Sequence, residues 1–181
     1  MALYEPAWFN RRSIRLKHYD YSNPGIYFVT ICAKDRKEIF GAIASEEIIL
    51  TELGKIAQSQ WDKLPDRFPH IRCREFQIMP NHIHLIVQFK KRNQSKLIPT
   101  GERESLGKII GAYKSLVTHV FIKKQTHGMK YDGKIWQRNF YDHVVEDRES
   151  YIKIRKYIAD NPQNWKHDKF YKYEKINGIS T

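Results

Sequence analysis

The chain has 181 residues, long enough to bury a core without disulfide or metal staples and short enough to read as one domain spanning 1–181. Its 32 Lys+Arg against 20 Asp+Glu leave a formal charge of +12, so its long-range field favours polyanions, nucleic acid first and an anionic membrane surface second. Cys32 and Cys73 form no CxxC pair, which speaks against a disulfide framework or a Cys-rich zinc site. No signal-peptide core and no run of about 18 apolar residues occurs, so a soluble protein in a reducing cytoplasm is expected, with no membrane partner.

In chain order, "IYFVTICA" (Ile26 to Ala33) follows the turn signal "SNPG" and is rich in β-branched and aromatic residues, which predicts a buried strand. "GAIASEEIILT" reads as a short, weaker hairpin. From Thr51 the period changes: Leu53, Ile56, Ala57, Trp61 and Leu64 share one helical stripe, with Thr51 as N-cap and Pro65 as the stop. "IRCREFQIM" and "HIHLIVQF" flank a tight "PN" turn and predict an antiparallel hairpin, Pro80 lying where its missing N–H costs nothing.

A polar loop, "KKRNQSKLIPTGERES", precedes the clearest helical pattern: Leu106, Ile109, Ile110, Tyr113, Leu116, Val117, Val120 and Phe121. A basic loop, Lys123 to Lys134, then leads to "IWQRNFYDHVV", whose second half predicts a strand. "EDRESYIKIRKYIADNP" opens with acidic residues suited to a helix N-terminus and ends at Pro162. The order is α+β, and the long helices can cover one face of an antiparallel sheet, as in a ferredoxin-like or RRM-like sandwich with an added C-terminal helix. The basic, aromatic tail 163–181 has no placement derivable from its pattern.

Strand alternation puts His82, His84, Ile86 and Gln88 on one face and the apolar Ile83, Leu85, Val87 and Phe89 on the other. The second set should meet the helices. The first should be the more open face, with the two imidazoles about 7 Å apart at Cα and able to converge on one ion. An H-x-H pair also occurs as hydrogen-bonded strand residues, and a catalytic metal usually needs a third protein ligand. Tyr157 and Asn161 stand at i and i+4, on the flank of a buried stripe formed by Tyr151, Ile154 and Ile158. By themselves they read equally as a boundary tyrosine and a helix-ending residue before Pro162.

Taken together, "PNHIHLIV", "WQRNFYDHVV" and "YIKIRKYIADNP" in this order resemble the REP-associated tyrosine transposases of the HUH-type, single-tyrosine superfamily. "RRSIRLKHYDYSNPGIYFVTICAKDR" and "LGKIIGAYKSLVTHVF" are similar too, so the resemblance spans about Arg11 to Pro162. It implies a ferredoxin-like palm. It also implies His82, His84 and Asn161 as ligands of Mg²⁺ or Mn²⁺, and Tyr157 as the nucleophile that cuts single-stranded DNA at hairpin-forming repeats through a 5′-phosphotyrosine. His143 falls in a recurring segment of the family without an assigned role.

Arg11, Arg12, Arg15, Lys17, Lys153, Arg155 and Lys156, with Arg72 and Arg74, are candidate DNA-backbone contacts, although ordinary solvation accounts for any one of them. Trp136, Phe140 and Tyr141 are candidates for base stacking or for core packing. Single-stranded or hairpin DNA is the expected partner, with no small-molecule cofactor. Relatives act as monomers or as homodimers sharing the tyrosine helix, which the sequence leaves undecided. Two other readings stay open: an RRM-like module that binds structured nucleic acid without cutting it, and a metal-dependent phosphodiesterase using water.

Overall fold

The computed structural model describes residues 20–90, 104–124 and 134–171. Arg11, Arg12, Arg15 and Lys17 lie outside the described residues, as do most of the two basic loops and the tail beyond Tyr171.

Six strands and four α-helices occur among the described residues: β1 (Gly25–Cys32), β2 (Gly41–Ala44), β3 (Glu47–Leu50), α1 (Glu52–Asp62), α2 (Leu64–Arg67), β4 (Ile71–Met79), β5 (His82–Phe89), α3 (Leu106–Lys124), β6 (Tyr141–Val145) and α4 (Arg148–Asp160). β2 and β3 pair only with each other, as the expected short hairpin, while the other four strands form an antiparallel sheet in the order β4-β5-β1-β6. Numbered among themselves these four run second, third, first, fourth. That is the split βαβ arrangement of a ferredoxin-like fold.

The local signals act as expected. Thr51 Oγ1 accepts the N–H of Gly54 at the start of α1, and the Asp147 carboxylate accepts that of Ser150 at the start of α4, so each helix begins where a side chain satisfies an orphan donor. Pro65 does not simply end α1. It stands in the first turn of the short α2, where proline is tolerated, and Leu64 is the first residue of α2.

Alternation along β1 and β5 sorts the side chains into two layers. Tyr27, Val29 and Ile31 with Ile83, Leu85, Val87 and Phe89 face α1 and α3, making the main core with Trp61, Ile109, Ile110 and Tyr113. α4 lies on the opposite face, where Ile154 and Ile158 pack on Phe28, Ile86 and Val145. The expectation that the long helices share one face thus holds for α1 and α3 and not for α4. The reason lies in β1 and β5: Phe28 and Ile86 make their second face apolar too, and that face needs cover.

A polar clamp sets the register of α4 on the sheet. Tyr151 Oη donates to the Glu75 carboxylate of β4 at 2.7 Å and 3.0 Å, and Arg155 Nε reaches the same carboxylate at 3.2 Å. No helix among the described residues is long and apolar enough to cross a membrane.

Ile154 is fully buried between α4 and the sheet. Ile154→Ala is therefore expected to destabilise the fold by about 2–5 kcal/mol, read as a lower urea midpoint with an unchanged m-value.

Candidate functional site

The face that α4 covers also carries the two histidines. Register places Thr30 and Gln77 on either side of His84, and Cys32 and Met79 on either side of His82. His143 pairs with Phe28 across β1 and β6, so it stands on this same face, one strand beyond Phe28. Contrary to the expectation of an open face, His82 and His84 are completely buried. α4 covers one end of the face, and the segment after it covers the other: Trp165 and Phe170 pack on Cys32 and Met79. The Phe170 ring lies 4.6 Å from that of His82, centroid to centroid. Alternation identifies a face but not what the rest of the chain lays over it.

Hydrogen bonds assign the tautomer of His82 and are compatible with the same tautomer in His84. Asn81 Nδ2–H donates to the Phe170 carbonyl at 2.8 Å, which turns its Oδ1 toward His82 Nδ1, also at 2.8 Å. Since that oxygen only accepts, Nδ1 carries the proton and Nε2 keeps its lone pair. Thr30 Oγ1 lies 2.8 Å from His84 Nδ1 and can accept from it in the same way. The two Nε2 atoms then point at each other across 3.0 Å. Burial, followed by the nearby Arg36 and Lys169, holds His82 neutral, well below its ordinary range. His84 is held down by burial and then by His82. Two neutral imidazoles, each steadied through its other nitrogen, could serve as a ligand pair for a divalent cation when both carry their proton on Nδ1.

α4 brings Tyr157 to this pair, and the cap residue Asn161 follows one turn later. The Tyr157 ring packs edge-on against Phe28, with centroids 6.3 Å apart, and its Oη stands 3.4 Å from His84 Nε2. Asn161, expected on the flank of the buried stripe, is itself buried, because the chain turns back over it after Pro162. Its Nδ2–H donates to Asp168 Oδ2 at 3.0 Å, while its Oδ1 is buried with no hydrogen-bond partner. A buried amide oxygen left unpaired costs about 1–3 kcal/mol unless something binds it, and a hard cation is one group that suits it.

Asp168 is the residue that the sequence reading missed. Its Oδ2 also accepts from Tyr157 Oη at 3.3 Å, and its Oδ1 accepts from the Phe170 N–H at 2.6 Å. The ligating atoms of His82, His84 and Asp168 all lie within 4.8 Å of one another. Nothing in the pattern of the tail marks it. Thr30 and Asn81 were missed as well, although Asn81 adjoins His82 and Thr30 follows from strand register.

The candidate DNA contacts are less organised. Lys153 and Lys156 are exposed on α4 and paired along the helix with Glu149 at 2.6 Å and Asp160 at 2.8 Å, pairings weak enough for a phosphate to displace. Arg72 and Arg74 are exposed on β4, and Arg74 holds Gln88 Oε1 at 2.6 Å through Nη2. Trp136 and Phe140 are not stacking platforms: Trp136 packs between Phe40 and Tyr113, its Nε1–H donating to the Lys114 carbonyl at 3.0 Å, and Phe140 is buried in the main core. Tyr141 remains half-buried at the edge of the site face, beside Phe170.

A ferredoxin-like palm with a His-x-His pair on a central strand and a tyrosine helix across it is the architecture of a DNA transposase class. The profile of the family described as "Transposase IS200 like" matches residues 24–161, and the chain belongs to that family. An uncharacterised Haemophilus influenzae protein is 36% identical over 179 residues, covering 93% of this chain and 97% of its own length. A provisional REP-associated tyrosine transposase of the same organism is 25% identical over 148 residues, 79% of this chain and 73% of its own length. Among solved structures, a REP-associated tyrosine transposase bound to a REP hairpin superposes with a TM-score of 0.57 at 19% identity, over 83% of this chain and 73% of its own. The resemblance to REP-associated tyrosine transposases drawn from the sequence motifs is borne out.

The buried histidines make stability depend on pH. Both are held well below 6.5 in the fold, so below that value the unfolded chain takes up protons that the folded chain refuses. Stability is therefore full above about pH 6.5 and falls as pH drops, by up to about 1.4 kcal/mol per unit for each histidine. The urea midpoint should fall between about pH 7 and pH 5, and His84→Gln should flatten that slope.

Proposed function

We propose that the chain cuts and rejoins single-stranded DNA at hairpin-forming repeats, with Tyr157 as nucleophile. The observation that carries this reading is the Tyr157 hydroxyl, 3.4 Å from His84 Nε2, at the rim of a buried imidazole pair whose Nε2 atoms converge. The solved relative is bound to a REP hairpin, and the net charge of +12 suits a polyanionic partner.

His82, His84 and the unpaired Oδ1 of Asn161 would hold a divalent cation, Mg²⁺ or Mn²⁺. When bound, it would polarise the non-bridging oxygen of the scissile phosphate and offset the charge that repels a nucleophile. Imidazole nitrogens by themselves suit Zn²⁺ as well, and the amide oxygen shifts the set toward the harder ions.

Tyr157 and Asp168 are half-buried rather than sealed, which leaves the phosphate an approach along that rim. Packing on Phe28 fixes the tyrosine ring, so the hydroxyl reaches the phosphate without a large loss of rotamer freedom. The phenol, whose pKa is ordinarily about 10, must lose its proton as it attacks. A bond forms between Tyr157 Oη and phosphorus, the bond from phosphorus to the 3′ oxygen breaks, and that oxygen leaves as a 3′-OH. The resulting 5′-phosphotyrosine conserves the ester, so a second 3′-OH can reverse the step and join new ends without ATP. Lys153 and Lys156 on the outer side of α4, with Arg72 and Arg74 at the far end of the sheet, could hold the flanking backbone. His143 stands one strand from Phe28, as a neighbour of the site.

Tyr157→Phe should abolish covalent adduct formation with a labelled hairpin oligonucleotide while leaving hairpin binding intact. An adduct of undiminished yield would remove Tyr157 from the role. A wild-type protein that binds hairpins and never forms an adduct would leave a binding module instead. Because Tyr157 meets the His84 of its own chain, mixing His84→Ala with Tyr157→Phe protein should not restore activity.

A further inference from the structure

We infer that Asp168 is an anionic ligand to the divalent cation held by His82, His84 and Asn161, supplied by a segment beyond the family's matched residues 24–161. The inference rests on the functional reading above and adds a residue to it.

Distance comes first. Ligands standing about 2.1 Å from one ion are at most about 4.2 Å from each other, and the three donor atoms of His82, His84 and Asp168 already lie within 4.8 Å. A shift of a few tenths of an ångström by each would bring them into one coordination shell.

The carboxylate is also held in place. Its Oδ1 is tied to the Phe170 N–H, Phe170 lies against the His82 ring, and the Phe170 carbonyl accepts from the Asn81 amide that orients His82. One closed circuit therefore joins Asp168 to the support of the first histidine. Asn161 Nδ2–H steadies Oδ2 from another side.

Charge balance favours the same ligand. Two imidazoles and an amide form a neutral set, whereas Mg²⁺ and Mn²⁺ are usually bound through at least one carboxylate. Among the described residues Asp168 is the acidic side chain that shares a potential metal cluster with the histidines. With it, the set comprises two nitrogens and two oxygens, leaving positions on a six-coordinate ion for phosphate oxygen.

The test is Mn²⁺ binding to the full-length protein without DNA, followed by the loss of the free-ion electron paramagnetic resonance signal. Asp168→Asn, which keeps the shape and removes the charge, should bind Mn²⁺ about 10- to 100-fold more weakly than wild type. Asp168→Cys should reverse the preference, binding Cd²⁺ more tightly than Mn²⁺ and showing a thiolate-to-metal absorption band that wild type lacks. A side chain that merely braces Asn161 and Tyr157 would produce neither the swap nor the band. Wild-type affinity for Mn²⁺ in Asp168→Asn, or an Asp168→Cys protein with no band, would overturn the assignment while leaving the histidine site standing. Failure of the wild-type protein itself to bind Mn²⁺ would overturn the metal reading and this inference together.

Discussion

Two imidazoles stripped of all solvent, with their Nε2 atoms 3.0 Å apart, are the constraint around which this molecule is arranged. A buried polar group is tolerable only when its hydrogen bonds are satisfied. Each ring therefore needs a partner for its outer nitrogen, and Asn81 and Thr30 supply one each. With the proton of each ring on Nδ1, the two Nε2 lone pairs face a common point, and the Tyr157 hydroxyl stands 3.4 Å from that of His84.

Holding such a pair requires a rigid floor and a roof. The floor is the central part of the sheet, where His82 and His84 alternate with Ile83 and Leu85 and inherit their precision from the main core beneath. The roof has two parts with different chemistry. α4 docks through Ile154 and Ile158 and takes its register from the clamp of Tyr151 and Arg155 on Glu75, and that register carries Tyr157 to His84. The segment from Trp165 to Phe170 then closes the remaining end with aromatic rings and brings Asp168 against both Tyr157 and Asn161.

The family assignment and the geometry support each other while answering different questions. Matching residues 24–161 to the IS200-like transposases accounts for the palm, the histidine strand and the tyrosine helix. It says nothing about Asp168 or Phe170, which lie beyond the match and yet touch the same few atoms.

Much of the architecture was legible from the chain alone, because it rests on local periodicity: alternation in "HIHLIVQF", the helical stripe from Leu106 to Phe121, the cap at Thr51, the acidic opening of the last helix, and its stop at Pro162. The pairing of His82 with His84 and of Tyr157 with Asn161 followed from the same periods, two on a strand and four on a helix. What periodicity cannot contain is which surface a face meets. Only the tertiary structure put α4 on the opposite side of the sheet from α1 and α3, buried the histidine face that alternation alone suggested was open, committed Trp136 and Phe140 to the core, and carried Asp168 onto Tyr157. The physical reason is range: local patterns report a residue's neighbours along the chain, whereas a site assembled from β1, β5, α4 and the segment after it depends on packing between elements tens of residues apart.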